Sequence, residues 1–91
     1  MQKITELSQT VDLMNSKDYK DRFVAEYLQT YIRYNKLLNM YKNWDNIQFT
    51  PSCPKSKYDK KLNVMLNYLF ILEDRAVIEG IDLDSLVEGV R

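Results

Sequence analysis

Both prolines of the chain fall within one segment, DNIQFTPSCPKSK, which occupies residues 45–57 and separates two long apolar-periodic runs. Proline removes a backbone donor and interrupts helices, so this segment predicts a turn between two helices. The runs on either side repeat apolar residues at the three- and four-residue spacing of amphipathic helices. The sequence therefore predicts an all-α fold, a long antiparallel helical hairpin within one domain over residues 1–91.

Capping residues and the ends of the periodic runs set the predicted helix boundaries. Asp18 is a good N-cap for the first long helix, and Gly80 follows the last periodic residue of the second. A proline suits the first turn of a helix, so the second long helix is expected to begin between residues 51 and 57. The predicted elements are a short helix over residues 3–14, a long helix over 18–44, a turn over 45–56, a second long helix over 57–79 and a short helical segment over 83–89.

The first long helix carries an arc of aromatic rings. Its members are Tyr27, Tyr31, Tyr34 and Tyr41. Such an arc is more often a core or a subunit-interface stripe than a stacking platform for a ligand. Each buried hydroxyl needs a hydrogen-bond partner, and Asn67 in the second long helix is a candidate. Trp44 lies outside the arc near the turn, so Trp44 and Tyr41 are the rings best placed to stack on a ligand.

The second long helix has two apolar stripes. One should face the first long helix, whereas Val64, Ile71 and Ile78 recur every seven residues on the opposite side. A helix that is apolar on two faces must be covered twice. The N-terminal helix, the C-terminal tail or another subunit is able to supply the second cover, and we expect an oligomer.

The composition disfavours catalysis and several kinds of binding. The chain has no histidine and a single cysteine, Cys53, so we expect neither an enzyme nor a metal site, and no cofactor. Basic and acidic residues balance at 13 each, so the chain has no overall positive electrostatic field that would attract duplex nucleic acid or an anionic membrane. The absence of a signal peptide pattern or a spanning run leads us to expect a cytoplasmic protein.

Charge is concentrated at the turn end of the predicted hairpin. Residues 33–61 contain seven basic and two acidic side chains. Among them, Lys57 and Lys61 lie near the start of the second long helix, where backbone N–H groups and the helix dipole also favour an anion. This arrangement suits a phosphate site. A solvated lysine-rich turn that keeps the protein soluble is the alternative.

Three stretches together resemble a family of small uncharacterised phage proteins named after a crAss-like phage member. They are DYKDRFVAEY, FTPSCP and MLNYLFILEDRAVIEGIDL, and the likeness covers residues 18–83. Arg22, Tyr68 and Arg75 match positions that look characteristic of this family. The resemblance thus makes these three residues candidates for ligand contact, with ion pairs to Glu26, Glu73 or Asp74 as the alternative for the two arginines.

The hairpin plan is also similar to that of phage anti-CBASS and anti-Thoeris sponge proteins. The resemblance implies an oligomer that sequesters a cyclic oligonucleotide or cyclic ADP-ribose immune signal in the host bacterial cytosol without cleaving it. Lysine or arginine would then hold phosphates, and tyrosine or tryptophan would stack on bases. The alternative is a small phage adaptor that binds a host protein through an apolar helix face.

Overall fold

Two long antiparallel helices make up most of the molecule, and a short N-terminal segment packs against the first of them. The computed structural model describes residues 3–87, and within this range it contains helices and no strand. The α-helices are α1 (Val11–Met14), α2 (Tyr19–Lys42) and α3 (Lys55–Glu79), and short 3₁₀ turns lie at Leu7–Thr10 and Trp44–Asn46. The molecule measures 41 × 24 × 23 Å. The all-α hairpin predicted from the sequence is confirmed.

Helix α2 begins and ends with side-chain and backbone caps. The Asp18 carboxylate accepts a hydrogen bond of 2.9 Å from the Lys20 N–H, as expected of an N-cap. At the other end, the Asn43 N–H donates to the Asn39 carbonyl at 3.2 Å. The α-helix therefore ends at Lys42, two residues before the predicted boundary, and Trp44 begins a separate 3₁₀ turn.

Helix α3 is bounded by a proline and a glycine. Pro54 occupies the N-cap position with φ of −65°, and the helix starts at Lys55, within the predicted interval. At its C-terminus Gly80 adopts φ of +70°, which only glycine enters without strain. The Ile81 N–H then donates to the Ala76 carbonyl at 2.8 Å, which is the 6→1 hydrogen bond typical of a Schellman motif.

The core lies between α2 and α3, and its most deeply buried side chains include Leu28, Leu69 and Leu72. The tyrosine arc belongs to this core: Tyr27, Tyr31 and Tyr34 are buried and Tyr41 is half-buried. Asn67, the expected partner for a buried hydroxyl, is exposed. Instead, the Tyr27 hydroxyl donates to a carboxylate oxygen of Glu73 at 2.7 Å.

The N-terminal segment is less regular than the helix predicted over residues 3–14. The Gln9 side-chain oxygen accepts hydrogen bonds of 2.9 Å from the N–H groups of Thr5 and Glu6, and regular helix begins only after the 3₁₀ turn. Thr10 is fully buried; its hydroxyl donates to the Leu7 carbonyl at 2.7 Å and accepts from the Gln29 amide at 2.9 Å. These bonds fix the segment on α2.

The tail after Gly80 forms turns over its described part, where a helix was predicted over residues 83–89. The Leu86 N–H donates to the Leu83 carbonyl at 3.1 Å, and residues 88 and 89 lie outside the described range. The Leu86 carbonyl accepts from the Ile4 N–H at 2.9 Å, so it is engaged by the N-terminal segment. Lys3 adds a bond of 2.9 Å from its ammonium to the Val87 carbonyl. The N-terminal segment and the tail are thus tied together.

No helix within residues 3–87 is long and apolar enough to cross a membrane. The α3 helix does have an exposed apolar stripe, since Val64, Ile71 and Ile78 face outward. The N-terminal segment packs on α2 and does not cover this stripe.

Candidate functional site

An open groove of about 580 Å³ lies between α2 and α3, in the half of the hairpin nearer the connecting segment. It is lined by Thr30, Arg33, Lys36, Leu37 and Met40 from α2 and by Lys61, Met65 and Tyr68 from α3. Its three cationic side chains are exposed, whereas the leucine and the two methionines are half-buried. The groove therefore has a basic rim over an apolar floor.

Helical spacing explains why these side chains share one surface. Arg33, Lys36 and Met40 follow one another at intervals of three and four along α2. On α3, Lys61 and Tyr68 are seven residues apart, with Met65 between them. Residues at these intervals lie on the same helix face, so each helix contributes one wall.

The groove is electropositive in a chain with no net charge. None of the residues that line it is acidic. Within residues 3–87, neither Arg33 nor Lys61 is paired with a carboxylate, while the Lys36 ammonium lies 3.7 Å from the Glu6 carboxylate. That pair is more than 60 % exposed on both sides, so it is weak and exchangeable with a bound anion. Three cations are thus available to a ligand.

This combination of groups is suited to a nucleotide. Arginine and lysine hold phosphate oxygens with charge-assisted hydrogen bonds. Tyr68 is 38 % exposed and lines the groove, where its ring offers a face on which a base stacks. The methionines add polarizable apolar contact that adapts to the shape of the ligand. Among the described residues there is no group of three side chains able to hold a metal ion.

A smaller pocket of about 170 Å³ lies at the other end of α3, beside the tail. Its lining includes Glu73, Asp82 and Asp84 along with the buried rings of Tyr27 and Tyr31. The carboxylates repel phosphate, so this pocket is a poor site for the ligand expected from the sequence.

Two of the seven residues predicted to bind a ligand, Lys61 and Tyr68, meet in the groove. Tyr41 and Trp44 lie together at the turn end, but they pack on their own chain. The Lys55 ammonium is 4.9 Å from the centre of the Tyr41 ring and 5.8 Å from that of Trp44, and the Trp44 and Tyr58 rings are 5.6 Å apart. These contacts make a cation–π cluster that supports the turn.

Lys57 and the two arginines occupy other parts of the surface. Lys57 is exposed on the first turn of α3, one turn before Lys61. At the opposite end of the hairpin, Arg22 donates to the Ser16 carbonyl at 2.8 Å. There Arg75 donates to the Glu79 carboxylate at 3.0 Å, and its guanidinium lies 4.5 Å from the centre of the Phe23 ring. Both arginines therefore make contacts that support the fold, and the carboxylate that pairs with Arg75 is Glu79 instead of the partners considered from the sequence.

Sequence reasoning missed Arg33, Lys36 and Met40. On a helical wheel the two cations fall beside or behind the tyrosine arc, which makes them look like ordinary solvent-facing residues. The sequence did contain a signal. Arg33 and Lys36 are three residues apart, which places them near each other on α2, and the seven-residue spacing of Lys61 and Tyr68 places these two on one face of α3. Using it requires the rotation of one helix against the other, which the structure supplies.

Comparison with known proteins places the chain in a family. No curated protein and no solved structure matches it. The family model named Sequestin matches residues 17–78, which include both long helices almost entirely and every residue that lines the groove. Because the match spans more than half of the chain, the protein belongs to the Sequestin family.

Proposed function

We propose that this protein is a phage-encoded sponge that binds and sequesters a nucleotide immune signal in the host bacterial cytosol. The signal is a cyclic oligonucleotide or a cyclic ADP-ribose-type molecule, and the protein does not cleave it. The observation that carries this proposal is the groove, in which Arg33, Lys36 and Lys61 surround an apolar floor beside the exposed ring of Tyr68.

Each part of such a ligand has a counterpart in the groove. The phosphodiester or pyrophosphate group lies against the cationic rim, and charge-assisted bonds to Arg33 and Lys61 hold it. The base stacks on Tyr68 and covers the methionines. Sequestration requires tight binding and slow release without any reaction, so these groups are sufficient for the function. The family name Sequestin fits this activity.

Native mass spectrometry with a panel of cyclic dinucleotides, cyclic trinucleotides and ADP-ribose derivatives tests the proposal. We expect one class to be retained, and heat denaturation of the complex should release it with unchanged mass. Release of a cleaved product would show an enzyme, and retention of none of the panel would overturn the proposal.

Charge reversal in the groove gives the site-specific control. Arg33→Glu and Lys61→Glu should each weaken capture at least tenfold, because a carboxylate then faces the phosphate. Lys20→Glu makes the same charge change on an exposed residue near the start of α2, away from the groove, and should leave capture unchanged. Equal effects of all three variants would assign binding to overall charge, and the groove would be excluded as the site.

The second candidate function is a helical adaptor that binds a host protein. The exposed α3 stripe of Val64, Ile71 and Ile78 is the observation that favours it, since apolar helix faces recognise partner helices. An adaptor requires this stripe and tolerates Lys61→Glu, whereas a sponge requires the groove.

A further inference from the structure

The outer face of α3 has an apolar stripe that the described chain leaves open. Val64, Ile71 and Ile78 are 68 %, 58 % and 82 % exposed. Their seven-residue spacing places them on one side of the helix, two turns apart. Exposed apolar patches of this kind mark interaction surfaces. The two intramolecular covers considered from the sequence are the N-terminal segment and the tail. The N-terminal segment packs on α2, and the described part of the tail packs beside the C-terminal end of α3.

The charges along the same helix indicate what covers the stripe. Lys57, Lys60 and Lys61 are exposed before Val64, at the N-terminal end. At the C-terminal end Arg75 is paired with Glu79 at 3.0 Å, and Asp74, Asp82 and Asp84 leave this end acidic on balance. A helix laid antiparallel on the stripe needs acidic groups at the basic end and basic groups at the acidic end. A second copy of α3, reversed in direction, has this distribution.

We propose that two copies of the chain pair antiparallel through their α3 stripes. A two-fold axis passes beside Ile71, so that this residue meets Ile71 of the partner subunit and Val64 meets Ile78 of the partner subunit. Such an isologous interface uses the same patch on both copies and closes on itself. A parallel pair would instead place the lysine-rich ends side by side, where like charges repel.

The paired stripe adjoins the groove along one edge of α3. Tyr68 lies one turn from Val64 and about one turn from Ile71, and it also lines the groove. The dimer therefore places a groove on either side of the two-fold axis, each open beside the helix of the other copy. The pairing rests on the stripe and its flanking charges, so it stands independently of nucleotide binding.

Light scattering after size exclusion, without ligand, is the first test. We expect a mass of two chains of 10.9 kDa each. Ile78→Asp should give a monomer, because it puts a carboxylate into the apolar contact. Val77→Asp is the matched control. Val77 is next to Ile78 and is equally exposed at 82 %, but it lies off the stripe, so this variant should remain dimeric. Circular dichroism should show unchanged helix content in both variants.

Cysteine cross-linking tests the direction and register without relying on a disruptive variant. In a Cys53→Ser background, Ile71→Cys should form an intermolecular disulfide on mild oxidation. Val64→Cys alone should not, whereas Val64→Cys mixed with Ile78→Cys should give a heterodimeric product. A Val64→Cys homodimer would show a parallel pair and overturn the proposal.

A monomer at all concentrations, or an assembly unaffected by both Ile78→Asp and Ile71→Asp, would also overturn it. A monomer whose stripe instead holds a host helix would establish the adaptor in place of the dimer. The outcomes for the two proposals remain separate. A monomer that still retains a nucleotide contradicts the pairing alone, and a dimer that retains none contradicts the sponge alone.

Discussion

The hydroxyl of Tyr27 donates a hydrogen bond of 2.7 Å to a carboxylate oxygen of Glu73, joining α2 to α3 across 46 residues of sequence. Tyr27 is 3 % exposed, so its hydroxyl needs a hydrogen-bond partner within the protein. This bond explains how the core accommodates a tyrosine where a leucine would fill the space without needing a polar contact. The hydrogen-bond partner of this buried tyrosine is therefore the Glu73 carboxylate on the facing helix.

We expect Tyr27→Phe to lower the free energy of unfolding by about 1–3 kcal/mol, because it removes a part-buried hydrogen bond to a carboxylate while keeping the ring. Urea unfolding followed by circular dichroism measures the change. Tyr41→Phe is the matched control, since its hydroxyl lies 3.4 Å from the Asp59 carboxylate in an exposed setting. That variant should change stability by less than about 0.5 kcal/mol. Equal losses in the two variants would contradict the importance of the Tyr27 bond.

Gly80→Ala should destabilise the protein by about 1–2 kcal/mol through backbone strain. The added methyl group would meet nothing within 4 Å, so the cost comes from the positive φ of +70° and not from a steric clash. Gly80→Asn should cost less, because asparagine tolerates the left-handed region better than alanine does. Thermal unfolding of the three proteins ranks them, and an alanine variant as stable as the parent chain would refute this account.

Tyr68→Ala should weaken capture of the retained nucleotide by about 1–3 kcal/mol, the usual contribution of one ring stacked on a base. Tyr68→Phe keeps the ring and should bind nearly as well as the parent protein. Titration calorimetry with the ligand identified by mass spectrometry measures both constants. If Trp44→Ala weakens capture and Tyr68→Ala does not, the ligand lies at the turn, as the sequence alone had suggested.

The carboxyl of Asp82 responds to Ser85. A hydrogen bond from the Ser85 side chain, together with one from its backbone N–H at 3.3 Å, holds the pKa of Asp82 below its ordinary value of 3.8. Ser85→Ala should therefore raise this pKa, and Ser85→Thr should preserve it. Carboxyl chemical shifts followed by NMR between about pH 2 and 6 give the value. An unchanged pKa in the alanine variant would contradict the assigned cause.

The sign of the linked stability effect follows from the lowered pKa. Because Asp82 is more acidic in the folded protein, its contribution to stability is fully present above pH 3.8 and is lost as the pH falls through the lowered folded value. Ser85→Ala should reduce this acid sensitivity.

Local rules were sufficient to predict the two long helices. Asp18 caps α2, Gly80 ends α3 and the prolines interrupt the helical pattern, each through backbone chemistry that depends on a few neighbouring residues. The shorter elements depended on distant partners. The described tail is a turn whose Leu86 carbonyl is engaged by Ile4, a residue at the other end of the sequence. No periodicity in the tail itself carries that information.

The candidate site was predicted less completely, for a similar reason. Lys61 and Tyr68 were recognised on α3, but Arg33 and Lys36 lie on the opposite wall, and their inclusion depends on how α2 is rotated against α3. The predicted stacking rings were chosen by residue type and by their place near the turn. Trp44 and Tyr41 were predicted as stacking rings, and in the structure the Lys55 ammonium of the same chain lies 4.9 Å from the centre of the Tyr41 ring and 5.8 Å from that of Trp44.

The hydrogen bond from the Lys3 ammonium to the Val87 carbonyl, which with the Ile4–Leu86 bond forms a clasp between the N-terminal segment and the tail, spans 84 residues of sequence. The bond between Tyr27 and Glu73 spans only 46. Closing a longer loop costs more chain entropy, so we expect this contact to form after the hairpin during folding. It should also open first, because local unfolding begins where few buried contacts hold a segment. In hydrogen exchange the Ile4 amide should accordingly lose protection under conditions where Leu69 is still protected, and the hairpin with its groove would outlast the clasp.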